Sequence, residues 1–347
     1  MANVNIRTPR FYVDWINYAM SRGTPQNNNY DVMTGGNLLS PSSGGTEAEL
    51  FDMRPLNQVQ FNTTNVATKK VLVNIDSESS SQIPFNFIAI LNHNLKSADG
   101  SFIIGASNTE SHINDEDFAI GHTAVQSTFK VNANVAGSGT YAVTPVRDGT
   151  TIVAFSDSQL QYWGIQFQGN TGTSSDEFSD TVGDELKIGG IMLGQYYDMP
   201  VSPDLDVKRN ITFDTVNVQQ SLGGQRFSTM INHGRKGSSQ NMSPFQIDTN
   251  RWGSQGGRMS YDMKFSYLNS TDVMPDAYSS LDRDDDAVIN DVWNMTSGNH
   301  TPFIFTTDGT STAESDYLFA RFAQNNFDMT QVAPDVYSVS LKIEEEF

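Results

Sequence analysis

Side chains able to do chemistry are few and scattered in this chain. Its five histidines are His93, His112, His122, His233 and His300. No two lie four residues apart, the spacing with which one helix face offers zinc a pair of imidazoles. Cysteine is absent, which removes thiolate metal sites and any disulfide framework. No G-x-S-x-G, P-loop, G-x-G-x-x-G or H-E-x-x-H pattern occurs. The stretch SHINDEDFAIGH, holding His112 and His122, offers carboxylates to a cation, but its composition is first that of a solvated loop. The run Asp282-Arg283-Asp284-Asp285-Asp286 has the look of a calcium loop and fails as one. Its sixth position is Ala287 where glycine makes the turn, and its twelfth is Trp293 where a bidentate glutamate belongs.

Two further chemistries compete with structural roles. Forty acidic residues leave room for a glycosidase-type carboxylate pair, but no spacing singles one out. Trp163 and Trp252 are candidates for stacking on sugars. Trp163 alternates with Tyr162 in a strand pattern and belongs to a core, whereas Trp252 in a Gly-rich loop is the better exposed contact. Asn-x-Ser/Thr sequons at Asn62, Asn210, Asn241, Asn269 and Asn294 carry no weight without a secretion signal. We therefore assign no catalytic, cofactor-binding or metal-binding residue, and the expected protein is not an enzyme.

The elements that remain are short strands, in a chain long enough for two β-domains. Val59 and Phe61 open the series, and apolar runs at 71–75, 85–91, 102–104, 141–143, 152–155, 162–167 and 186–193 follow. Spacings of about ten residues between runs are the mark of an all-β sandwich. The run at 87–91 is too continuous for a half-exposed strand and predicts a central one, covered on both faces. Before the sandwich, residues 1–56 read as an N-terminal arm. Its aromatic segment Phe11, Tyr12, Val13, Trp15, Ile16, Tyr18 and Met20 either completes a core or docks on a neighbour, and the polar stretch after it lies on the surface.

After the sandwich (57–195), residues 196–258 form a connector and a long loop. The connector breaks at Tyr197-Asp198-Met199-Pro200 and Ser202-Pro203-Asp204, resumes strand alternation through Val207, Ile211, Phe213, Val216 and Val218, and stops at Gly223-Gly224. Residues 228–258 are expected to be an interface loop. The C-terminal part, 259–347, opens with Met259, Tyr261, Met263, Phe265 and Tyr267 on one apolar face. A helix is predicted near 281–297, capped by Ser280, with acids from Asp282 to Asp286 at its positive end and Gly298 as its stop. Tyr337, Val339, Leu341 and Ile343 then alternate to the end, completing a small barrel-like sheet.

The net charge is −19, from 40 acidic and 21 basic residues. Such a surface repels phosphate backbones, so specific nucleic-acid binding is not expected. No apolar stretch is long enough for a membrane span, and neither a signal peptide nor a membrane partner is expected.

Three segments carry a family resemblance. FNFIAILNHNL at 85–95 with the following KSADG resembles a strand and turn of sandwich domains in tailed-phage structural proteins, domains similar to galactose-binding jelly rolls. Residues 191–197 and Ser221-Leu222-Gly223-Gly224 resemble the junction in the same proteins. Trp293, Gly298, and residues 301–305, 320–322 and 337–344 resemble the ending of tail-tube-like barrels found in distal and minor tail proteins. The resemblance implies a mainly β protein with a jelly-roll-like N-terminal sandwich and a tail-tube-like C-terminal barrel with one helix. It implies a structural virion protein of the distal tail or baseplate, assembled in the host cytoplasm. Its partners would be its own copies in a ring, six being one option, and other phage tail proteins. The alternative is a receptor- or glycan-binding adhesin with a host-surface glycan as partner, and a polysaccharide-degrading enzyme stands behind both.

Overall fold

The computed structural model describes the chain apart from residues 1–6, 25–28, 43, 64–69, 79–83, 115–122, 135–140, 170–177, 180, 182, 214–215, 231–244, 246–256, 275–286 and 347. The Phe85–His93 strand is its axis, and every one of its nine residues is buried. An unbroken apolar strand needs cover on both faces, and this one has it. Toward one side Phe85, Ile88 and Ile90 meet a second sheet; toward the other Phe87, Ala89 and Leu91 join Tyr12, Met192 and Tyr317.

Two antiparallel sheets make the sandwich. The smaller has five strands, in the order Tyr30–Val32, Val71–Asp76, Tyr162–Gly169, Gly100–Ser107, Thr123–Ala124. Its inner face contributes Val73, Ile75, Ile104, Trp163, Ile165 and Phe167 to the shared core. Trp163 is fully buried between Phe85 and Phe155, which settles its structural role.

The larger sheet has eleven strands, and it changes the picture of the C-terminal part. Its path runs from Lys208–Thr212 through Arg258–Asn269, Val336–Glu345, Tyr317–Phe322 and Phe303–Thr306 to Arg10–Asp14. It continues through Gly190–Asp198, Phe85–His93 and Gly149–Ser158 to Ser127–Val131, with Met329–Ala333 paired beside Val336–Glu345. The expected barrel is thus not closed. The C-terminal strands lie in the same open sheet as the sandwich strands, because Arg10–Asp14 pairs with Gly190–Asp198 on one side and Phe303–Thr306 on the other. The aromatic segment of the N-terminal arm therefore completes a core: Phe11, Tyr12, Val13, Trp15 and Ile16 are buried. Phe11 packs on Phe303, Phe305 and Phe322, joining the two halves.

Asp14 ends that strand and caps the helix Trp15–Ser21. One carboxylate oxygen accepts from Asn17 N–H at 2.8 Å and from the Asn17 amide, and the other accepts from Leu193 N–H at 3.1 Å. One buried group thus fixes the helix start and the neighbouring strand. Burial, partly offset by these hydrogen bonds, raises its pKa to about 6.

Of the helix expected near 281–297, Ser280 and the acids from Asp282 to Asp286 lie outside the described residues. Ile289–Asn294 forms a π-helical turn, with Val288, Val292 and Met295 buried in the main core. Gly298, at φ +68°, donates its N–H to the Trp293 carbonyl and terminates it as predicted.

Candidate assembly surface

The residues with the means for chemistry do not converge. His93 is fully buried. Leu95 N–H donates to its Nδ1 at 3.2 Å, which leaves the ring proton on Nε2, 2.8 Å from Thr151 Oγ1. Desolvation pushes its pKa down to about 3, so it is a neutral core hydrogen-bonder. His112 Nδ1 lies 3.1 Å from Ser107 Oγ, and His300 is exposed with its carbonyl accepting from Arg321. His122, His233, Trp252 and Asn241 lie outside the described residues. Among the described residues, no group of three histidines or carboxylates could hold a metal ion, and no helix is long and apolar enough to cross a membrane.

Among the described residues the path of the open sheet ends in two different edges. Ser127–Val131 pairs with its neighbour through a bulge between Ser127 and Phe129, a device that twists an edge away from partners. Lys208–Thr212 pairs with 258–262 in unbroken register, and all five of its residues are exposed. Ile211 stands opposite Met259, so it carries the apolar face beyond the cover of the core and is 57% exposed. Nothing in the local sequence blunts this edge except the charges of Lys208 and Arg209.

Later in the chain, Val216–Gln220 and Arg226–Met230 form a hairpin whose strands pair only with each other among the described residues. Every residue from 216 to 229 is exposed. The turn is built by Ser221 N–H donating to the Gln225 carbonyl and Gly224 N–H to the Ser221 carbonyl, with Gly224 at φ +83°. The sequence pattern marks the alternation of Val216 and Val218 and the glycine stop, and the structure leaves these apolar residues exposed.

The expectation of a surface stretch after the aromatic segment shifts. The 24–56 stretch puts Tyr30, Val32, Leu50 and Phe51 into the chain's own core, and Tyr30–Val32 is a strand of the smaller sheet. In the 228–258 loop, Phe245 is the one described residue of 231–256, and it stacks on Tyr317 at 6.0 Å, also in the chain's own core.

No protein-family model matches the chain, and the search of curated proteins gave no match. Among solved structures it is similar to a chitosan-binding module of a chitosanase/glucanase from Paenibacillus sp. IK-5, with 14% identity, a TM-score of 0.30, and coverage of 49% of this chain and 96% of the module. It is also similar to CBM32-3 of a family 31 glycoside hydrolase from Clostridium perfringens, at 14% identity and TM-score 0.31, covering 51% of this chain and 98% of that one. CBM62 of Xyl5A from Clostridium thermocellum matches at 13% identity and TM-score 0.25, covering 47% and 95%. At TM-scores from 0.25 to 0.31 the likeness carries no argument.

Proposed function

We propose that the protein is a non-catalytic structural component of a tailed-phage virion, acting in the distal tail or baseplate by assembling with its own copies. The observation that carries the assembly reading is the eleven-stranded sheet, which among the described residues stays open and ends in the Lys208–Thr212 strand, all five of whose residues are exposed. An uncovered edge of this kind templates pairing with another chain unless a partner covers it. A head-to-tail contact between copies that closes gives a ring. The phage context rests on the three sequence resemblances.

Glycan recognition by the sandwich is the second reading, and the solved structures the chain is similar to are carbohydrate-binding modules. A sandwich hosts many unrelated functions, so the fold does not choose between the two. Light scattering coupled to size-exclusion chromatography, with electron microscopy of the same fractions, tests the first reading. Closed rings of the purified chain are the expected result. A chain that stays monomeric throughout the micromolar range while binding on a glycan array would put the adhesin reading in its place.

A further inference from the structure

We propose that the outer face of the C-terminal strands binds a single neutral sugar ring, in a cavity of about 240 Å³ among Thr212, Arg258, Ser260, Asp262, Lys342 and Glu344. The site does not depend on self-association, and it is distinct from the glycan recognition considered for the sandwich.

Strand alternation builds the cavity. Tyr261 and Ile343 are buried in the core, so their neighbours Ser260, Asp262, Lys342 and Glu344 face the other way. Register sets Ser260 opposite Glu344 and Asp262 opposite Lys342, with Thr212 of the edge strand opposite Arg258. Arg258 Nη1 donates to Glu344 Oε1 at 3.3 Å, which ties two of the lining groups together. Asp262 and Lys342 are cross-strand partners of opposite charge, yet among the described residues no ion pair or side-chain hydrogen bond engages either of them. The hydroxyls of Ser260 and Thr212 are likewise without a partner among the described residues. A carboxylate, an ammonium and two hydroxyls therefore line one space with their hydrogen-bonding capacity unused.

The lining chemistry selects the ligand. Arg258 and Lys342 stand against Asp262 and Glu344, so the cavity has no net formal charge. An anion gains little there and meets a chain of net charge −19. A cation meets two like charges. What the cavity offers is donors and acceptors side by side, and the adjacent hydroxyls of a sugar use both. One donates to the Asp262 carboxylate and the next accepts from the Lys342 ammonium, each in a charge-assisted bond. Ser260 and Thr212 can take either role. A zwitterion matches the same two charges, but it must shed the hydration of two full charges that hydroxyls do not carry. The volume is below the roughly 300–1,000 Å³ of a drug-sized pocket, which suits a monosaccharide unit. The Tyr261 ring packs on Phe305 and offers no stacking face, so weak binding held by hydrogen bonds is expected.

Saturation-transfer NMR on the full chain, with the methyl glycosides of glucose, galactose and mannose as probes, tests the site. At least one of these neutral glycosides should receive saturation from the parent. Asp262→Asn and Lys342→Gln should each weaken that binding about tenfold, the weight of one charge-assisted hydrogen bond. Asp262 is half-buried and Lys342 exposed, so both variants should keep the parent's melting temperature. A loss in either folded variant upholds the site. Binding unchanged in both variants overturns it and leaves glycan recognition by the sandwich standing. Glycine or methyl glucuronide bound in preference to every neutral glycoside overturns the neutral class. No transfer to any probe overturns the proposal outright, while the assembly reading keeps its own test in ring formation.

Discussion

The burial of His93 makes a quantitative prediction about acid. Its ring is enclosed, hydrogen-bonded to Thr151 and Leu95 in the neutral form, and pushed down to about 3 from an ordinary 6.5. A depressed folded-state pKa means the unfolded chain takes up the proton first. The stability contributed by neutral His93 is complete above pH 6.5 and declines as pH falls toward 3. Each pH unit in that window removes about 1.4 kcal/mol. Asp14 acts in the opposite sense: its pKa is raised to about 6 from 3.8, so folding gains stability as pH falls through 6 toward 3.8. The two buried groups oppose each other across that shared window, and a simple acid titration of the unmodified protein would miss both. Comparing the parent with His93→Gln cancels Asp14 and all other carboxylates. Between pH 7 and 4.5 the parent should lose about 3 kcal/mol more than the variant, read by urea unfolding at each pH. Parallel curves, differing by a constant within about 0.5 kcal/mol, would refute the enclosed neutral imidazole.

Two substitutions probe the packing around the same axis. Ile90→Ala in the central strand should cost about 2–5 kcal/mol in chemical denaturation, because Ile90 is fully buried between the sheets; a loss under about 0.5 kcal/mol would mark an exposed strand. Gly194→Ala would place a Cβ 1.9 Å from the Val13 carbonyl oxygen, where the Arg10–Asp14 strand crosses close to its neighbour. Backbone cannot give way cheaply, so a cost of about 3 kcal/mol or more and weakened protection of Val13 and Trp15 amides in hydrogen exchange are expected; a neutral outcome would mean the N-terminal strand is not seated there.

Much of the fold is legible in the sequence because burial on both faces and burial on one leave different patterns. The unbroken 85–91 run predicts a central strand, and the alternation of Tyr337, Val339, Leu341 and Ile343 predicts one buried face; Val339, Leu341 and Ile343 are fully enclosed. What periodicity does not carry is strand order. The apolar faces of residues 259–347 close a barrel or extend a sheet equally well. The choice is made from the other end of the sequence, by Arg10–Asp14 inserting between Gly190–Asp198 and Phe303–Thr306. The same limit explains why the aromatic N-terminal segment stays open, on sequence alone, between core and docking surface. Phe11 looks alike in either place until its partners Phe303, Phe305 and Phe322 are found.

Two places show the limits of reading burial from alternation. Tyr267 continues the series Tyr261, Met263, Phe265, yet it is 76% exposed. Between Phe265 and Leu268 the strand gains one residue on its partner, so the bulge turns Tyr267 outward and Leu268 takes the buried position. A bulge is invisible to a period-two count, which assigns every later residue to the wrong face. In the 207–218 series the alternation is present, but the faces it marks are exposed. Val216 and Val218 do share a face, as alternation requires, but no part of the described chain covers them. Alternation records that a face is to be buried and is silent on which molecule buries it.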